Sequence, residues 1–342
     1  MKASNGHDII VIGASAGGLD ALRTLIGGFP PALPASVFIV QHIGATSHLA
    51  DILDNRSPLP ASEAKNGEPI ERGRIYVAGP GKHLMVHEQH VMLRRGPREN
   101  MSRPAIDPLF RSAALTFGAR VIGIVLSGAL SDGTAGLKAI KRCGGIAVVQ
   151  DPADAAVPAM PASAIRHVAV DHVVPIVSMG PLVARLVDEP AGETPEPPAE
   201  LRLETAISAR EVTGMAAEDK LGAPSSFSCP ECGGVLWEIG EGGLLRFRCH
   251  VGHAFTADAA FAAQADKIED TLGTLMRAHQ EHGALARRMA AQARSQGIHR
   301  LADELDTRAK EYEDGAQLVR TLFVDTANAA GVTEIVRQGP AP

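Results

Sequence analysis

Three groups of side chains in this chain are of types that do chemistry. The first is Gly13-Ala-Ser15-Ala-Gly17-Gly18, a serine among small residues where an apolar run gives way to a helical pattern. Such a turn holds a serine Oγ clear of the backbone, as in a nucleophile elbow. The unpaired N–H groups of the helix start, near Ala16 and Gly17, are then placed to receive an oxyanion. A phosphate cradle is the competing reading. A dinucleotide fingerprint would need glycine at position 15, and no P-loop pattern occurs, so the local pattern favours serine chemistry without deciding it. The second group is His42, ending Val-Gln-His, and Asp132 in Ser-Asp-Gly. Singly they read as a strand-end histidine and a turn or cap; with Ser15 they supply a base and the carboxylate that orients it. The third is Cys229-Pro-Glu-Cys232-Gly-Gly followed by Cys249-His250-Val-Gly-His253, with the spacing of a zinc site. Cys229, Cys232 and Cys249 are three donors. His253 is the preferred fourth, and His250 is the alternative.

These residues need a scaffold. Ile9 to Gly13, Ser36 to Gln41, Val121 to Leu126 and Gly145 to Gln150 are near-continuous apolar runs. Runs without alternation indicate strands covered on both faces, hence a doubly wound, mostly parallel α/β sheet. Helical stretches at 18–28, 108–118 and 133–143 lie between them. Ser15, His42 and Asp132 all follow strands, and sites of open parallel sheets gather beyond the carboxyl ends. The segment Arg74 to Arg94 reads as antiparallel ribbons attached to the sheet.

After Val187 the composition changes. Residues 188–226 are a Pro/Glu-rich linker, with room for a short helix near 200–212. Residues 227–256 form the metal module. Residues 257–330 show two apolar seams, from Phe261 through Ala265, Ile268, Leu272, Leu275, His279, His282, Ala286 and Met289 to Ala293 and from Ile298 through Ala302, Leu305, Ala309, Tyr312, Ala316 and Val319 to Phe323, split by Ser-Gln-Gly. That pattern predicts an antiparallel helical hairpin for packing, self-association or partner binding, with His279 and His282 as solvated or loosely packed seam positions. Residues 331–342 are a tail.

With 342 residues, 45% hydrophobic and 21% charged, the chain has material for a real core. The net charge of −6 argues against a broad nucleic-acid footprint. Neither a signal peptide nor a membrane span is visible, and four cysteines are too few for a disulfide scaffold, so a cytoplasmic location is expected.

Five motifs in unbroken order make residues 8–187 resemble the CheB-type protein-glutamate methylesterases of bacterial chemotaxis. They are Gly-Ala-Ser15-x-Gly-Gly, the Gln-His42 strand end, Arg103-Pro-x-Ile-Asp107-x-Leu-Phe, Ser-Gly-x-x-x-Asp132-Gly-x-x-Gly-Leu and Met160-Pro-x-x-Ala-Ile165. The resemblance implies a catalytic triad of Ser15, His42 and Asp132, demethylation of glutamyl esters on chemoreceptor-like proteins, and deamidation of glutamine. It implies no cofactor for the chemistry. Ala16 and Ala129 stand where family members commonly have threonine and methionine, which bears on substrate preference at the rim. Arg103 and Asp107, with Arg111, are substrate-facing candidates whose alternative is helix capping and ion pairing. The family's N-terminal receiver domain has no counterpart before residue 8, so regulation is expected from the C-terminal extension or from a partner, such as a methyltransferase counterpart, on the hairpin. A non-catalytic interaction protein working through that extension is the second reading.

Overall fold

The structure is a computed structural model that describes residues 6–42, 44, 46–211, 221–241 and 243–329. The tail at 331–342 and part of the linker lie outside the described residues. A seven-stranded sheet is built from β1 (Ile9–Ala14), β2 (Ser36–Gln41), β3 (Ala61–Glu63), β4 (Arg74–Val77), β7 (Val121–Val125), β8 (Ile146–Gln150) and β9 (His172–Val174). Its order is β3-β4-β2-β1-β7-β8-β9, and every pairing is parallel. Successive residues feed opposite faces. Val11, Phe38, Tyr76 and Val149 join one buried cluster, while Ile10, Ile12, Val37, Ile39 and Val148 join the other. The first face is covered by α3 (Ile106–Phe117), α4 (Thr134–Arg142) and α5 (Ala159–His167). The second is covered by α1 (Gly18–Gly27), α2 (Leu49–Asp54) and α6 (Ile176–Asp188). Burial on both sides is why the strands read as unbroken apolar runs.

The expectation for Arg74 to Arg94 needs correction. Arg74–Val77 is a parallel strand of the main sheet, because Ile75 and Val77 fill one face and Tyr76 the other. Only β5 (His83–His87) and β6 (His90–Arg94) are antiparallel, as a separate two-stranded sheet.

Within 188–226, α7 (Ala199–Ser208) is not a solvated spacer; Leu201, Glu204, Ile207 and Ser208 are buried. A four-stranded antiparallel ribbon follows, of β10 (Ala223–Ser228), β11 (Val235–Glu241), β12 (Leu244–Cys249) and β13 (Ala254–Thr256). Its small core holds Leu236, Trp237 and Phe247. Five buried charges clamp it to the sheet unit. Arg111 of α3 donates to both Glu99 oxygens at 2.7 and 2.6 Å, and Arg246 meets Glu204 at 2.8 Å through both terminal nitrogens. Arg248 reaches Glu204 at 3.1 Å. The guanidinium groups, Arg111 foremost for Glu99 and Arg246 for Glu204, overcome the burial that would otherwise raise these carboxyls and hold both below the usual glutamate range.

The last two helices, α8 (Ala257–Ser295) and α9 (His299–Ala329), run antiparallel past the turn at Ser295–Gly297, with Arg294 bonded to Asp303 and Arg287 to Glu313. Their seam is mostly alanine: Ala286, Ala290, Ala293, Ala302, Ala309 and Ala316 are buried, together with Val319, and Leu305 packs against it. Of the expected seam, Ala286, Ala293, Ala302, Ala309, Ala316 and Val319 are buried, while several of its large residues are not. Phe261, Ile268, Leu275 and Met289 stay exposed, since the closely packed stripe passes through Ala290 rather than its neighbour. His282 is solvent-exposed, as expected, and His279 is half-buried; both rings lie against the Tyr312 ring, at 5.2 and 5.7 Å between centroids.

Candidate active site

The turn after β1 is tightly specified. Gly17 has φ 69°, and an added Cβ would lie 2.7 Å from Ala156 Cβ, so this position requires glycine. An added Cβ on Gly128 would lie 2.9 Å from Ser15 Cβ, which lets the loop after β7 approach the serine. Ser15 N–H donates to Ser127 O at 3.0 Å, and Gln41 Nε2 donates to Ser15 O at 2.6 Å. Ser127 Oγ ties down Ala16 O at 2.8 Å. Both neighbouring strands therefore hold the serine's backbone. Among the described residues no acceptor takes the N–H of Ala16 or Gly17.

Ser15, His42 and Asp132 converge at the carboxyl edge of β1, β2 and β7. Ser15 Oγ lies 3.0 Å from His42 Nδ1, and His42 Nε2 lies 2.7 Å from Asp132 Oδ2. Because a carboxylate only accepts, Asp132 fixes the proton on Nε2 and leaves the Nδ1 lone pair facing the hydroxyl. Asp132 is buried yet well supplied: the N–H groups of Ile106, Asp107 and Gly133 donate to it at 2.7, 3.3 and 2.9 Å, and Asn100 Nδ2 at 2.9 Å. Burial opposes its ionisation. The bonds from His42, Ile106 and Asn100 outweigh burial and hold its carboxyl down at about 2.

Asp107 is not a rim residue. At 3% exposed it accepts the Gly136 N–H at 2.6 Å and Asn100 Nδ2 at 3.1 Å, so it joins α3 to α4. Burial first, and then the charge of Asp132, push its carboxyl up to about 8. Arg111 faces Glu99 rather than substrate. Arg103 does reach the surface, in a groove of about 550 Å³ that also contains Gly44, Arg95, Arg98 and Met101. Ala129 is half-buried beside the Asp132 loop. Asn100 went unread in the sequence; its only local mark is a left-handed φ of 48°, which asparagine tolerates better than most residues.

In the ribbon, Cys229, Cys232, Cys249 and His253 place four ligand atoms within 4.8 Å of one another, a group able to hold a metal ion. His253 approaches through Nδ1, at 3.7 Å from Cys229 Sγ and 3.5 Å from Cys249 Sγ. His250 is not in the group; its ring lies over Gly234. All four cysteines of the chain are free thiols.

The comparisons with known proteins fall on the sheet unit. The model of the family described as CheB methylesterase matches residues 10–183. A putative protein-glutamate methylesterase/protein-glutamine glutaminase of Leptospira interrogans is 42% identical over 183 residues, covering 53% of this chain and 95% of its own. A protein of Anaeromyxobacter dehalogenans named protein-glutamate methylesterase/protein-glutamine glutaminase 2 is 42% identical over 171 residues, and the match spans half of its length. The crystal structure of the Thermotoga maritima CheB methylesterase catalytic domain is 34% identical, with a TM-score of 0.51, covering 53% of this chain and all of that one. The matched span carries the sheet, the serine turn, the histidine strand end and the aspartate loop, and on that agreement of fold with sequence the chain belongs to the CheB methylesterase family.

Proposed function

We propose that this protein is a protein-glutamate methylesterase, and a glutaminase by the same chemistry, with Ser15 as nucleophile, His42 as general base and acid, and Asp132 as the group that orients His42. The observation that carries this reading is the unbroken Ser15–His42–Asp132 hydrogen-bonded chain at the edge of the sheet. His42 Nδ1 takes the Ser15 proton as Oγ attacks the γ-carbonyl, and the ionised Asp132 stabilises the imidazolium that results. The free N–H groups of Ala16 and Gly17 receive the oxyanion, each such donor contributing roughly 3–4 kcal/mol. His42 returns the proton to the leaving group, releasing methanol from an ester or ammonia from an amide. Water, deprotonated by His42, then cleaves the glutamyl-serine ester, leaving a carboxylate and the free serine.

The groove with Arg95, Arg98 and Arg103 suits an acidic segment around the modified glutamate, as a methylated receptor-like protein would present. In the ribbon, a zinc tetrahedron with Zn–S of about 2.3 Å and Zn–N of about 2.0–2.1 Å has edges of roughly 3.5–3.8 Å. The distances of 3.6, 3.7 and 3.5 Å among these donors fit it. With four protein ligands the ion would be structural. Free thiols suit the reducing cytoplasm, and no described helix is long and apolar enough to cross a membrane. The exposed apolar residues of the helical hairpin would serve partner binding.

Methanol release from a methyl-esterified receptor tests the reading. Ser15→Ala should lower turnover by on the order of 10⁶; equal release by both proteins would refute catalysis by Ser15.

A further inference from the structure

Asn100 is gripped from two sides. Its Nδ2 donates to Asp132 Oδ1 at 2.9 Å and to Asp107 Oδ2 at 3.1 Å, while its Oδ1 accepts the backbone N–H of Thr256 at 2.9 Å. With the amide turned over, its oxygen would face the ionised Asp132 carboxylate and its NH₂ would face an N–H donor, so the bonds to Asp132 and Thr256 would both be lost. The Thr256 N–H therefore selects the orientation in which Asn100 serves Asp132. Thr256 ends β13 of the ribbon, three residues after the metal-type donor His253. That strand lies along the Asn100 loop: Asn100 N–H donates to Ala254 O at 2.8 Å, and Ala254 N–H donates to Arg98 O at 3.2 Å. Thr256 Oγ1 also sits 2.7 Å from Ser131 Oγ, beside Asp132. On the other side of the donor cluster, Cys249 N–H bonds His253 O at 3.0 Å, and Arg248 Nη1 donates to Gly252 O at 2.9 Å. Donor cluster and β13 are thus joined by hydrogen bonds through the turn at 249–253 and by the pairing of β13 with β12. The loop they hold carries left-handed backbone at both Asn100 (φ 48°) and Met101 (φ 63°), a conformation that side-chain-bearing residues keep only where their surroundings impose it.

We infer that the ribbon completes the active site: a metal ion held by Cys229, Cys232, Cys249 and His253 acts through Thr256 and the positioning residue Asn100 to keep Asp132 and His42 aligned, so metal occupancy sets turnover. The inference rests on the hydrolase reading. It makes an appended module part of the catalytic machinery rather than a tether.

The full chain, loaded with Zn²⁺, is compared with the same protein after chelation. Trp237, the single tryptophan, lies in the ribbon and reports its state, while far-UV circular dichroism follows the sheet. Chelation is expected to shift Trp237 emission and lower kcat about tenfold to hundredfold, the fold-change of one hydrogen bond to a charged group, with KM within about twofold. Added Zn²⁺ should restore kcat. Asn100→Ala in the loaded protein should show the same loss and no longer respond to chelator, because both changes interrupt one chain of contacts. An unchanged kcat when Trp237 reports a disrupted ribbon would overturn the inference, as would losses from chelation and Asn100→Ala that multiply. Should Asn100→Ala fail to fold, wild type decides: the downfield NMR signal of the His42 Nε2–H must fade on chelation and return with Zn²⁺, and its persistence refutes the coupling. Ser15→Ala runs alongside. If loaded wild type releases methanol no faster than Ser15→Ala, the hydrolase reading fails, and the same proton signal still decides for or against the coupling.

Discussion

The sheet and the ribbon hold the two sides of the same site with opposite materials. Ser15 and His42 hang from β1 and β2, whose side chains enter two fully apolar clusters. Asn100 and its loop are held instead by Glu99, Arg111, Glu204, Arg246 and Arg248, all buried, and by a ribbon whose apolar core is small. Apolar burial is insensitive to charge state, whereas a buried ion network is stable only while every partner stays in its ionised form. Ser15 is therefore fixed by a permanent scaffold and the support of Asp132 by a conditional one.

The largest expected effect separates them by metal. Cys229→Ser removes one of four donors, and structural zinc in small modules contributes on the order of 10 kcal/mol of folding free energy. The variant should lose the roughly one zinc per chain expected of wild type, and its Trp237 emission should resemble that of the unfolded ribbon while the circular dichroism of the sheet persists. A wild-type protein purified without chelators and carrying no metal would remove the distinction. Next in size is a pair of substitutions. Phe38→Ala takes a fully buried ring out of the sheet core, where such truncations cost about 3–5 kcal/mol. Arg248→Met leaves Glu99 and Glu204 short of a buried partner, a loss of about 3–5 kcal/mol. Phe38→Ala should lower the melting transition seen by circular dichroism, whereas Arg248→Met should lower only the one seen by Trp237. Coincident shifts in both probes for both variants would mean that sheet and ribbon melt as one unit.

How far this contrast was legible in the sequence follows from its materials. Ile9–Ala14, Ser36–Gln41 and Val121–Val125 announce themselves because strands buried on both faces leave continuous apolar runs. Ser15, His42 and Asp132 are readable because each follows such a run. Arg74–Val77 was harder: four residues opening on arginine and soon followed by Pro80-Gly81 resemble a hairpin arm, and only the sheet partner reveals a parallel strand. The Asn100–Thr256 bond spans 156 positions and has no local signature. The burial of α7 is equally hidden, because Glu204 looks solvated until Arg246 and Arg248 arrive from another element. Spacing preferred His253 and kept His250 as the alternative; the fold groups His253 with the three cysteines and lays the His250 ring over Gly234.

Acid should dissolve the ribbon's grip before it touches the sheet. Glu99 and Glu204 have folded pKa values below their unfolded ones, so the stability they contribute is present above the unfolded glutamate value of about 4.3 and is lost as pH falls through and below it. Asp132, held at about 2, loses its share across the window from about 4 down to 2. Asp107, raised to about 8, works in the opposite direction and adds stability as pH falls from about 8 to 4, so the loss of the ribbon's grip is read below about 4. His83 acts in the same direction as Asp132, from higher pH. Its ring is fully buried, with Nε2 donating to Pro97 O at 2.7 Å and Nδ1 accepting the Ala105 N–H at 3.2 Å, and burial lowers its pKa, so protonation below about 6.5 costs stability. Titration from pH 7 to 3 should therefore move Trp237 emission first and the sheet's circular dichroism later. A single coincident transition would break the contrast.

The smallest effect sharpens what makes a charge matter. Arg287 and Glu313 on the helical hairpin form a two-bond pair at 2.6 and 2.5 Å, geometrically as good as Arg246 with Glu204. Yet both partners are about half exposed, against 8% and 5% for the buried pair. Water solvates the separated ions almost as well as they solvate each other, and salt screens what remains. Arg287→Ala should leave the hairpin's melting temperature unchanged within error at physiological ionic strength, while Arg246→Ala lowers that of the ribbon by several degrees. Equal shifts would show that geometry rather than burial sets the worth of these pairs, and the ribbon's dependence on pH would then need another source.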